Sequence, residues 1–229
     1  MVLGKTIFIS ILSRIIKAKK ILVIDFDLVN NNLYTMYGVN SIPRSMKDKL
    51  KDDEYLSEFR LNERNIEKLL VKVSHKIDLI SSVKYVFDEN YILKHEKIEE
   101  MIEKLKEKYD LILIDTTFDI RYQKLMKELI NISSKTVCLV EGNLVCMKKT
   151  KELLETNRQN TKKINIIYNK KNKYTIEENV LKMIFFKYKF IGTLSYDCKY
   201  DKIINKNLNA LYITSNIEKE FTKIANKLT

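Results

Sequence analysis

A chain of 229 residues, 45% hydrophobic and 31% charged, suits one large domain with a sizeable core and excludes wholesale disorder. No apolar run approaches the ~18 residues of a membrane-spanning helix, the first ten residues lack the basic start of a secretory signal, and Cys138, Cys146 and Cys198 lack the spacing of a disulfide framework or zinc site. The expected setting is cytoplasmic. The net charge of +12 favours anionic partners, either nucleic acid or an acidic membrane surface, but only six of the 42 cationic residues are the arginines that phosphate recognition favours. Lys, Asn and Ile crowd the whole chain, as AT-rich coding produces, so much of the charge is compositional.

One proline, Pro43, and four glycines punctuate the sequence, and no linker or repeat marks a boundary. A single domain over 1–229 is expected. In chain order, Gly4-Lys5-Thr6 precedes a helical pattern over 7–17. Short continuous apolar runs then follow at 21–27 (ILVIDFD), 77–81 (IDLIS), 111–115 (LILID), 136–140 (TVCLV), 164–168 (INIIY) and 190–194 (FIGTL). Runs of this length with no polar alternation predict strands covered on both faces, as in a parallel sheet. Helical spacing separates them at Ile98, Met101, Ile102 and Leu105; at Tyr122, Leu125, Met126 and Leu129; at Ile176, Val180, Leu181, Ile184 and Phe185; and at Ile217, Phe221, Ile224 and Leu228. The more polar stretch 38–73 predicts surface helices. Alternation of this kind means α/β architecture, a doubly wound, mostly parallel sheet flanked by helices.

Ligands in such sheets sit beyond the carboxyl ends of the strands, so residues just after each run carry the chemistry. Gly4-Lys5-Thr6 forms the second half of a phosphate-binding loop, in which lysine reaches phosphate and the hydroxyl meets Mg²⁺ at a helix N-terminus. Its first half is not represented by Met1, Val2 and Leu3. Asp25 and Asp27 stand two apart at the end of a run, on one side of the strand, a pairing suited to Mg²⁺ and water positioning; a solvated strand end is the plain alternative. The 111–115 run closes on Asp115, the Walker B form, whose carboxylate holds Mg²⁺. His75 and His95 lie far apart in polar surroundings and read as surface residues.

The order of these features resembles the ParA/MinD family of deviant Walker A P-loop ATPases, closest to its MinD and flagellar or pilus-assembly branch. The likeness rests on ILVIDFDLVNNNLYTMYGV (21–39), YDLILIDTT (109–117), TVCLVEGNL (136–144), INIIYNK (164–170) and FIGTLSYD (190–197). The resemblance implies ATP and Mg²⁺ as ligands. Gly4 and Lys5 would contact the phosphates, with Lys5 contributing to catalysis. Thr6, Asp25 and Asp115 would serve the metal, and Asp27 would address the attacking water. Asn32 would work near the metal or across a dimer, and Asn169 would face the adenine.

The family's first strand and signature lysine would lie ahead of Met1; its switch II glycine stretch is replaced by Thr117-Phe118-Asp119, and the proline of the late segment by Ser195. ATPase activity is therefore expected of a chain that carries the missing strand and half-loop. The resemblance implies an ATP-dependent homodimer acting as a spatial regulator of pilus, flagellar or division machinery, cytoplasmic or peripheral to the inner face of the membrane. A non-hydrolysing scaffold of the same fold and a DNA-segregation ATPase binding non-specific DNA are the alternatives. The related tyrosine autokinases fit poorly, since only Tyr212 lies near the C-terminus, and the cysteines do not match the cluster ligands of the nitrogenase iron protein.

Overall fold

The computed structural model describes residues 3–27, 32–39, 70–80, 95–116, 123–156, 158–197 and 215–228. Most of the polar 38–73 stretch, Thr117-Phe118-Asp119 and Cys198 lie outside them. The chain separates into two compact units, one spanning Thr6–Glu128 and the other Leu129–Thr229 together with Met1–Lys5.

The Thr6–Glu128 unit is built on helix α1 (Leu3–Ile15), strand β1 (Ile21–Phe26), the short helix α2 (Leu33–Met36), strands β2 (Val71–Lys72) and β3 (Ile77–Ile80), helix α3 (His95–Lys106) and strand β4 (Leu111–Thr116). The strands form one sheet in the order β2-β3-β1-β4. β1 pairs in parallel with both β3 and β4, whereas the two-residue β2 is antiparallel to β3. Every residue of β1 is buried, and Leu111 to Ile114 of β4 are only half-buried. That contrast follows from position, because β1 is flanked on both sides and β4 ends the strand order.

Two side chains fasten the connections. The Asp110 carboxylate accepts the Lys19 and Lys20 amides at 3.0 and 2.8 Å, setting the turn into β1. The Lys76 ammonium donates to the Arg14 and Ile16 carbonyls at the end of α1, at 2.9 and 3.3 Å. These carbonyls are among the acceptors every helix leaves open at its C-terminus.

The second unit contains β5 (Thr136–Glu141), α5 (Leu144–Glu155), a 3₁₀ segment (Arg158–Lys163), β6 (Ile164–Lys171), α6 (Glu178–Ile184), β7 (Lys189–Ser195) and α7 (Ser215–Leu228); α4 (Gln123–Ile132) leads into it across the boundary. Its sheet runs β5-β6-β7, wholly parallel. Asn143 caps α5, its side chain accepting the Cys146 amide at 2.8 Å. α7 lies on β7 so closely that a Cβ on Gly192 would come within 2.7 Å of Ile224 Cγ1. Glu220 of α7 also accepts the Ser195 amide and hydroxyl, at 2.9 and 2.7 Å.

All six apolar runs are strands, and the mostly parallel α/β fold is as expected. Three features differ. α1 begins at Leu3, so Gly4, Lys5 and Thr6 lie inside the helix instead of ahead of it. Ile176 lies outside α6, and α5 is a helix that the helical spacings read from the sequence did not include.

Candidate functional site

The acidic part of the site is assembled by β1, β4 and α1. Parallel register sets Asp25 opposite Asp115, and neighbouring strands stand about 4.8 Å apart. Thr6, on the second turn of α1, donates its hydroxyl to Asp115 Oδ2 at 2.7 Å, joining positions 109 residues apart in sequence. Thr6, Asp25, Asp27 and Asp115 are all at most 2% exposed. Buried side chains of this kind are normally paired or neutralised, because removing a charge from water is costly.

Asp25 is committed to the backbone. Its Oδ1 accepts the Asp27 amide at 3.0 Å and its Oδ2 the Leu33 amide at 3.3 Å. It therefore folds the segment after β1 back on the strand end and satisfies an amide at the start of α2, where Asn32 is the N-cap residue. Burial pushes the Asp25 carboxyl up to about 7, the Asp115 charge pushes in the same direction, and the two amide donors oppose both. At neutral pH this carboxyl is thus divided between its charged and neutral forms.

Behind this cluster, Ser13 and Tyr37 share a hydroxyl–hydroxyl hydrogen bond of 2.7 Å. Burial pushes the Tyr37 phenol up to about 12, and the Arg14 guanidinium lies 5.2 Å over its ring. Sequence reasoning did not select these three residues. Only the i, i+3 spacing of Ser10 and Ser13 among the apolar residues 7–12 of α1 hinted at a buried polar seam.

The second set of residues lies in the other unit. A Cβ on Gly4 would meet the Asn169 amide nitrogen at 3.0 Å, so this glycine lets Asn169 approach the start of α1. Asn169 is buried and sits opposite Glu141 in the β5–β6 register. The next residue, Lys170, has φ 55°, left-handed backbone that a lysine rarely adopts, at an irregularity in the β6–β7 ladder. Lys170 also pairs with Glu141 at 2.7 Å. A strained residue beside a bulge is a common way of aiming a neighbouring side chain.

The loops following β5 and β6 are laced together around Tyr168. The Tyr168 hydroxyl donates to the Ile176 carbonyl, the Ile176 amide donates to the Gly142 carbonyl at 3.1 Å, and a Cβ on Gly142 would strike the tyrosine ring. Glu141, Gly142 and Lys170 were missed because ion pairs between the ends of separate strands leave no spacing pattern in sequence.

The structure thus brings Thr6 to Asp115, Asp25 to Asp27 and Asp115, and Gly4 to Asn169. Asp115 and the Thr6 hydroxyl, with Asp25 and Asp27 at the neighbouring strand end, offer oxygen atoms only, the donor type that hard divalent cations take. Among the described residues no three His, Cys, Asp or Glu side chains are grouped so as to hold a metal ion by themselves. That is compatible with Mg²⁺, which keeps several waters and takes one or two carboxylates plus substrate phosphate.

No family model and no curated protein matches the sequence. Solved structures do match over nearly all of it. MinD in the MinC:MinD cell division complex of Aquifex aeolicus aligns with a TM-score of 0.73 at 18% identity, covering 99% of this chain and 90% of that one. The septum site-determining protein MinD of Pyrococcus horikoshii, complexed with Mg-ADP, gives 0.72 at 18% identity, with 99% and 90% covered. A ParA family ATPase from Chlorobium tepidum gives 0.70 at 16% identity, with 97% and 91% covered. The chain has the fold of the MinD and ParA proteins.

Proposed function

We propose that this protein is a MinD/ParA-like ATPase, a nucleotide-dependent homodimer that positions a cell-surface or division machinery and hydrolyses ATP to ADP and phosphate. The observation that carries the reading is the Thr6 hydroxyl directed onto Asp115 within a buried, oxygen-only acidic cluster. The hydroxyl proton is spent on the carboxylate, so the lone pairs of Thr6 Oγ1 remain for a cation. The Mg-ADP bound to the MinD of similar fold and the AMPPNP bound to a plasmid partition protein of Borrelia burgdorferi support the ligand class.

In this reading Lys5 offers a positive charge and the first amides of α1 offer donors to phosphate. Asp115 and Thr6 hold the metal. Asp25 keeps the strand end and the start of α2 in place beside them, and Asp27 orients water for attack. Asn169, aimed beside Gly4, reads the base, and Asn32 acts beside the metal or toward the second subunit. Bound Mg²⁺ would supply charge neutralisation of the phosphates; catalysis by the chain itself is positioning.

The test combines calorimetry with Mg-ATP, phosphate release and size-exclusion chromatography. Asp27→Ala is expected to retain nucleotide and dimer while losing hydrolysis. Asp115→Ala is expected to lose the Mg²⁺-dependent part of binding, and Lys5→Ala both binding and dimerisation. Hydrolysis by Asp27→Ala at the parental rate would remove that residue from the mechanism. Nucleotide binding by the parent without any phosphate release would leave a scaffold of the same fold.

A further inference from the structure

Among the described residues Lys170 is the one non-glycine with left-handed backbone, at φ 55°. A regular strand does not call for it. Along β6, Tyr168 pairs with Thr193 of β7 and Lys171 with Ser195, so β6 carries an extra residue over the interval that holds Asn169 and Lys170. On its other side β6 stays in register, with Asn169 opposite Glu141 of β5. Residues in parallel register point to the same face, so an undisturbed strand would turn Lys170 away from Glu141. The left-handed turn brings it back, and the Lys170 ammonium stands 2.7 Å from Glu141 Oε1.

The backbone on either side of this pair is fixed. The Glu141 carbonyl accepts the Asn143 amide at 2.9 Å, and the Gly142 carbonyl accepts the Ile176 amide at 3.1 Å. Beyond the turn, the Lys171 carbonyl accepts the Tyr196 amide at 2.9 Å. Between these points lies Asn169, buried and so close to the start of α1 that a Cβ on Gly4 would meet its amide nitrogen at 3.0 Å. The ion pair does little for the fold itself, because its side chains are 28% and 35% exposed and pairs open to water contribute little. Left-handed backbone is unfavourable for a lysine, and strain of this kind persists at ligand clamps, where the surrounding structure enforces it.

We infer that Glu141 and Lys170 are positioning residues: their ion pair holds the turn after Asn169 and thereby fixes the Asn169 amide for contact with a nucleoside base. The inference rests on the nucleotide reading and adds to it the residues that control base contact separately from phosphate contact. An amide side chain donates from one end and accepts at the other, so its orientation decides which edge of a base it satisfies. Glu141 and Lys170 act through Asn169 and do not themselves touch the ligand.

The test is calorimetry of the full chain with Mg-ATP and with Mg-tripolyphosphate, which carries the phosphates without the nucleoside. The parent is expected to bind ATP more tightly. Glu141→Ala and Lys170→Asn should each weaken ATP binding by ~3–10-fold, the effect of one misdirected hydrogen bond, although they change the local charge in opposite directions. Asparagine tolerates the left-handed turn, so tripolyphosphate affinity and thermal midpoint should stay parental in both. Lys170→Arg should keep parental ATP affinity, since it restores the pair. In an Asn169→Ala background, Glu141→Ala should have no further effect. Parental ATP affinity in Glu141→Ala and Lys170→Asn overturns the inference, as does an equal loss for ATP and tripolyphosphate, or a full loss added to that of Asn169→Ala. Tripolyphosphate bound by the parent as tightly as ATP also overturns it, while leaving the phosphate site in place. Binding of neither ligand removes the nucleotide reading as well.

Discussion

Replacing Asp115 by Asn tests the electrostatics of the acidic cluster directly. Asparagine keeps the volume and can still accept the Thr6 hydroxyl, which donates to Asp115 at 2.7 Å. What it removes is a negative charge one strand away from Asp25. Two carboxylates about 5 Å apart at an effective dielectric near 20 repel by about 3 kcal/mol. The Asp25 carboxyl rises from 3.8 in the unfolded reference to about 7 in the fold. A raised carboxyl contributes its stability fully below the unfolded value and loses it as pH climbs through the folded one. The metal-free parent should therefore weaken between about pH 4 and pH 8, by up to ~4 kcal/mol.

In Asp115→Asn the loss should be shallower. The variant should match the parent near about pH 5 and exceed it near about pH 8 by up to ~3 kcal/mol, or roughly 6–12 °C in melting temperature. Thermal or urea unfolding in a chelator at both pH values measures it. Mg²⁺ should then stabilise the parent at the higher pH and leave the variant unmoved. Equal losses in the two proteins from low to high pH would refute the coupling between Asp25 and Asp115.

Three further outcomes follow from packing. Gly192→Ala places a methyl 2.7 Å from Ile224 Cγ1 and should cost about 1–3 kcal/mol; an unchanged melting temperature would mean that α7 is displaced freely from β7. Tyr168→Phe keeps the buried ring but removes the donor to the Ile176 carbonyl, which should cost about 1–3 kcal/mol in urea unfolding, with no loss if water replaces it. Leu111 to Ile114 of β4 are half-buried at the end of a parallel strand order, an arrangement that invites edge pairing. Ile112→Lys, which puts a charge on this end strand, should lower self-association in light scattering; an unchanged signal would refute this.

The strands were legible because burial on both faces requires uninterrupted apolar residues, as in ILVIDF of β1 and INIIY of β6. The strand-end positions of Asp25, Asp27 and Asp115 were legible for a related reason: a carboxylate closing such a run can only leave it at the ligand edge. β2 was not legible, since two residues, one of them Lys72, carry no period. α5 was missed because its buried side, Met147, Thr150 and Leu154, is diluted by Lys148, Lys149 and Lys151. Tertiary structure alone decided what the site residues touch. It joined Thr6 to Asp115 across 109 positions, turned Asp25 into an acceptor of two backbone amides, and set Asn169 against Gly4. Sequence period records which face of an element meets the core, whereas hydrogen bonds between separate elements depend on register and crossover, which no local pattern encodes.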